Sequence, residues 1–118
     1  MVVKETKKLN GYEMAVVLKP LLPDDVRKSM HKEFVDMISK NGGEVLDVDV
    51  WGKRYLAYKI GGHNEGYYII YTFIADPSHI AEIRRQMELK QEVLRYMVVE
   101  ADDVDEIGKK IKKKEIEI

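Results

Sequence analysis

Residues 44–75 read EVLDVDVWGKRYLAYKIGGHNEGYYIIYTFIA, two strand-like runs joined by a glycine-rich break with no helical stretch between them. In residues 44–50 the apolar Val45, Leu46, Val48 and Val50 are interleaved with acids at 44, 47 and 49, which suits a strand with one solvated face. The run continues through Gly52 to Ile60, with Leu56, Tyr58 and Ile60 spaced two apart on one face. A glycine inside a strand marks a bulge or kink. Such a bend aims the adjacent cations Lys53 and Arg54 away from the sheet, toward something anionic. Residues 61–66, GGHNEG, supply a turn. Residues 67–75 form a second strand, dense in aromatic and β-branched side chains.

The flanks of this hairpin settle the topology. Residues 12–18 are short and apolar, with Glu13 the only charge, as expected for a central strand. A connector bounded by Pro20 and Pro23 follows. Asp24 or Asp25 is placed to cap a helix whose stripe is Val26, Met30, Phe34, Met37 and Ile38, and Asn41-Gly42-Gly43 stops it. After the hairpin, Asp76-Pro77 opens a second helix, with Asp as N-cap and Pro at the first helical position. Its buried stripe is Ile80, Ile83 and Met87. Residues 93–99 are the last strand. The order is βαββαβ, and right-handed crossovers place both helices on one face of a four-stranded antiparallel sheet. The fold class is therefore α+β, ferredoxin-like. The other face is left open, yet the middle strand is apolar on both sides: Tyr67, Ile69, Tyr71 and Phe73 on one, Tyr68, Ile70 and Ile74 on the other. A half-solvated sheet normally alternates apolar with polar. Either the tyrosine rings cover the sheet with their hydroxyls in water, or something else covers the face.

The 118 residues suffice for one domain with a modest core. A basic arm is expected at 1–10, the domain at 11–100, and a mobile tail at 101–118, where acids precede a lysine cluster. With 20 basic and 21 acidic side chains the formal net charge is -1, so any nucleic-acid contact must be a local patch. There are no cysteines, which excludes disulfides and thiolate chemistry. No apolar run approaches the roughly 18 residues of a membrane span, and the polar start lacks the apolar core of a secretory signal. His31, His63 and His79 show no metal-ligand spacing, and no glycine-rich loop leads into a helix to cradle phosphate. No catalytic residue, metal or cofactor is implied, and neither a membrane nor DNA is indicated as a partner.

The RNA-recognition motif has the same element order, but its third strand needs stacking rings in the pattern K/R-G-F/Y-G/A-F-V-x-F/Y. Here the best alignment puts Glu65 at the basic position and Ile69 and Thr72 at ring positions. Single-strand readout by base stacking is thereby rejected.

Four segments carry a family resemblance. Tyr12-Glu13 with a short apolar strand and Pro20, then Trp51-Gly52-Lys53-Arg54-Tyr55-Leu56-Ala57-Tyr58-Lys59-Ile60, then Gly66-Tyr67-Tyr68, then Leu94-Arg95-Tyr96-Met97-Val98-Val99, together resemble the sixth protein of the bacterial small ribosomal subunit. The resemblance covers about residues 11–100. It implies a non-enzymatic ribosomal constituent in the cytoplasm. It further implies binding to the central domain of small-subunit ribosomal RNA, together with the small basic eighteenth protein of that subunit. On this basis Lys53 and Arg54 are expected at RNA phosphate, Arg95 is a further candidate, and Lys7 and Lys8 substitute for arginines found before Tyr12 in some relatives. Tyr58, Tyr67 and Tyr71 are the expected partner-binding residues. The competing class is a regulatory ferredoxin-like domain that binds a small ligand as a dimer. Such modules use a glycine-rich turn after the first strand, and the proline-bounded connector here argues against it.

Overall fold

The computed structural model describes residues 9–101. The arm's Lys7 and Lys8 and the tail beyond residue 101 lie outside the described residues. Strand β1 spans Asn10–Leu18, helix α1 Asp24–Lys40, β2 Glu44–Ile60, β3 His63–Ala75, helix α2 Ile80–Glu88 and β4 Val93–Glu100, with a single 3-10 turn at Pro77–His79 leading into α2. The four strands form one antiparallel sheet in the order β2-β3-β1-β4. The βαββαβ order and the ferredoxin-like arrangement expected from the hairpin and its flanks are what the chain adopts.

The core lies between the sheet and the two helices. Tyr12, Met14, Val16 and Leu18 of β1 pair with Phe73, Tyr71, Ile69 and Tyr67 of β3. Directly opposed residues share a face, so these eight side chains point toward the helices. Met30, Phe34, Met37 and Ile38 of α1 and Ile80, Ile83 and Met87 of α2 close over them. Both helical stripes are those given by the 3.6-residue spacing.

Three local readings change. Helix α1 is capped by the extended backbone of Pro23 without a side-chain hydrogen bond, and Asp24 and Asp25 occupy its first turn. There they favour the helix dipole. The expected Asp76 cap forms on the 3-10 turn, where its carboxylate accepts from the Ser78 backbone N–H at 2.9 Å, while α2 itself starts at Ile80 from His79 without a side-chain cap. The hairpin turn is tighter than residues 61–66. Ile60 pairs directly with His63, leaving only Gly61 and Gly62 between them. Both have positive φ, 54° and 81°, as a two-residue turn that follows the strand twist requires. Lastly, residues 56–59 face a register shift between Tyr55 and Ile60, so the even spacing of Leu56, Tyr58 and Ile60 does not give one buried face. Leu56 and Ile60 are half-buried and Tyr58 is exposed.

The hairpin end rests against β1. A Cβ on Gly66 would lie 2.3 Å from Val17 Cγ1, and Val17 is buried. Valine is stiff about χ1, so the space cannot be cleared by a rotamer change. Gly66→Ala is therefore expected to lower stability by about 1–3 kcal/mol, read as a lower urea midpoint at unchanged m. A wild-type midpoint would show that the hairpin lifts from β1 at no cost.

Candidate nucleic-acid interface

The bend at Gly52 is real. The β2–β3 register shifts between Val50 and Gly52, and Gly52 has φ 78°. A residue with a side chain is strained in that conformation. The bulge inserts Trp51 as an extra residue, and Lys53 and Arg54 follow it, both exposed. They do not form one patch. Lys53 pairs with Tyr67, whose side faces the helices, and Arg54 pairs with Gly66, on the open side. Successive strand residues point to opposite faces, so the two cations flank the hairpin.

Arg95 joins Arg54 on the open side. It sits opposite Val17 on β1, and its Nη1 donates to the Tyr58 hydroxyl at 2.7 Å. The hydrogen bond links the hairpin strand β2 to the far edge strand β4. Tyr58 is 62% exposed, so the pair remains open to a ligand.

The other two expected partner-binding tyrosines leave this face. Tyr71 is fully buried among core residues, stacked on His31 and edge-on to Phe34, with its hydroxyl 3.0 Å from His31 Nδ1. Burial raises its pKa, so the hydroxyl stays protonated at any working pH. It holds the core together and cannot meet a partner, which corrects the expectation. Its place among apolar residues on both strand faces concealed which side the helices take. Tyr67 also turns toward the helix side. The Arg27 guanidinium lies 4.4 Å above its ring, at the wall of a cleft that also includes Lys28, His31, Val48 and Val50.

The open face carries residues that the spacing did not single out. Trp51 stacks near-parallel on Tyr68, centroids 6.2 Å apart at 16°, and Arg54 lines the same recess. Across the sheet, Met97 and Val99 of the edge strand β4 are exposed. Register places Glu13, Asp47 and Asp49 on this side as well, around Thr72 and Ile70. The acids Asp47 and Asp49 on β2 thus share their rows with the apolar Val99 and Met97 on β4, and the cations Arg54 and Arg95 lie toward the hairpin. Among the described residues no cluster of three or more metal-ligating side chains occurs.

The family model described as Ribosomal protein S6 matches residues 11–100. The chain belongs to the ribosomal protein S6 family. A "Small ribosomal subunit protein bS6" from Caldanaerobacter subterraneus is 38% identical over 95 residues, covering 80% of this chain and 100% of the relative. A protein of the same description from Mycobacterium bovis is 40% identical over 94 residues, 80% of this chain and 98% of the relative. One from Prochlorococcus marinus is 41% identical over 91 residues. That match takes in 77% of this chain and only 53% of the longer relative. The crystal structure of the 30S ribosomal protein S6 from Thermotoga maritima superposes with a TM-score of 0.77 at 24% identity, covering 92% of this chain and 99% of that one. The C-terminal domain of MgtC from Mycobacterium tuberculosis also shares the fold, with a TM-score of 0.56 at 13% identity. Fold alone therefore does not specify the function, and the family match does. As an S6-family member the chain is a structural, non-enzymatic constituent of the small ribosomal subunit, in the cytoplasmic ribosome.

Proposed function

We propose that the chain binds the central domain of small-subunit ribosomal RNA jointly with the small basic eighteenth protein of that subunit, and so aids assembly. The observation that carries this reading is the division of the open sheet face. Arg54 and the Tyr58-anchored Arg95 lie at its hairpin end, and exposed Met97 and Val99 lie across it. Glu13, Asp47 and Asp49 share the side. Phosphate contacts suit the cations. A small basic protein is complementary to the apolar and acidic remainder, and its docking would also cover an otherwise open strand edge. The near-neutral net charge fits a shared surface in which the partner supplies most of the positive charge. Lys53, on the other side of the hairpin, reaches phosphate where the RNA passes around its edge.

The test is binding of the full chain to a central-domain RNA fragment, alone and with the partner. Tight binding only in the partner's presence is the expected result. Equal binding without it would remove the shared surface. No binding in either condition, with an active partner, would overturn the reading.

A further inference from the structure

We infer that Trp51, backed by Tyr68 and flanked by Arg54, is a stacking platform for one unpaired base of the RNA. This rests on the RNA-binding reading above and adds to it a salt-independent contact at a defined residue.

Trp51 is the bulged residue before Gly52 and is 50% exposed. Its ring is near-parallel to Tyr68, offset with centroids 6.2 Å apart at 16°. Its Nε1–H donates to Asp49 Oδ2 at 3.1 Å. The indole is therefore oriented by an offset ring neighbour and an edge hydrogen bond, and half of its surface stays open. A ring already immobilised loses little further side-chain entropy when something stacks on it. Each base has a π-face, and stacking on an aromatic side chain is a recognised mode of single-strand binding. Arg54 lines the same recess and supplies a cation for the phosphate of the stacked nucleotide, or stacks on the base through its planar guanidinium.

The same features argue against a protein anchor residue at this point. A hot-spot side chain fills a concave, desolvated pocket, whereas this recess is open and lined in part by the cationic Arg54. The indole N–H, the one polar handle of the ring, is already taken by Asp49. A flat ring next to a positive charge fits a nucleotide better than an apolar side chain. The platform also differs from that of RNA-recognition motifs. It is built by a bulge on the edge strand β2, so it revises the rejection of base stacking, which was drawn from the β3 ring positions alone.

Trp51 is the only tryptophan of the chain, so intrinsic fluorescence reports on this ring alone. Titrating the full chain, with the basic partner present, with the central-domain RNA fragment is expected to quench it. Trp51→Ala is expected to weaken RNA binding by about 10- to 100-fold at an unchanged salt slope, and Trp51→Phe to retain most of the affinity. Arg54→Ala lowers the slope instead. Wild-type affinity in Trp51→Ala, alongside a weakened Arg54→Ala, would overturn the platform and leave RNA binding standing. Quenching by the partner alone, with no further change on adding RNA, would assign the ring to the protein interface and overturn it too. Failure of the wild-type chain to bind RNA at all would remove both readings.

Discussion

Tyr71→Ala is expected to destabilise the protein by about 3–5 kcal/mol, the range for emptying a fully buried aromatic site. The ring is completely buried at the centre of β3, with Met14 of β1 on one side and Val48 of β2 on the other. Phe34 meets it edge-on at 5.7 Å and His31 stacks on it at 5.6 Å. Two sheet neighbours and two helix neighbours would thus border the cavity, and a sheet held by paired strands cannot collapse to fill it. For a domain of this size each kcal/mol moves Tm by about 4–8 °C, so a fall of at least about 12 °C is expected. Tyr71→Phe separates the ring from its hydroxyl. It keeps the packing and deletes only the bond to His31 Nδ1, and His31 is partly exposed and can turn to water. The cost should be about 0.5–1.5 kcal/mol. Urea unfolding followed by circular dichroism reads both, as midpoint shifts at constant m. A loss under about 1 kcal/mol for the alanine variant, with weakened partner binding, would return Tyr71 to the interface.

That residue also shows where the sequence stops being informative. The elements are legible because each rests on a local period: the Met30, Phe34, Met37 stripe on α1 and the Ile80, Ile83, Met87 stripe on α2 are both buried as spaced. Gly52 is legible as a bulge because a glycine inside a strand packs against nothing and weakens it, so its presence marks a demand of the backbone. Tyr71 is not, since β3 is apolar on both faces, and only tertiary packing decides which set meets the helices. Alternation likewise fails at residues 56–59, where the pairing loses its one-to-one register and a period of two no longer describes the chain. Trp51 stands out in the sequence only as part of a signature. Its exposure depends on the bulge lifting it onto the open side, and its contact with Tyr68 on strand pairing across the hairpin. A lone tryptophan immediately before a strand-interior glycine is the one local signal for it. The exposure of Lys53 and Arg54 follows from the bend, and their divergence to opposite sides follows from the pleat once the register is known.

That divergence shapes the second large effect. Lys53→Ala with Arg54→Ala is expected to lower the slope of log affinity against log salt for RNA binding by about 1.4–1.8, two phosphate contacts at about 0.7–0.9 each. The two side chains point away from one another, so their losses should add. Each single variant should show about half the change. Both residues are exposed, so the fold should hold within about 0.5 kcal/mol, and thermal melting checks this on the same samples. Lys40→Ala, in the last turn of α1 and exposed, removes a cation away from the hairpin and should leave the slope unchanged. The singles carry the decisive information. A full single effect from Arg54→Ala and none from Lys53→Ala would place the RNA on the open face only, beside Trp51 and Arg95. Equal effects would have the RNA backbone pass around the hairpin edge, with one phosphate on each side. Wild-type slope and affinity in the double variant would take both residues out of the interface and leave Arg95 as the sole candidate cation among the expected ones in the described residues.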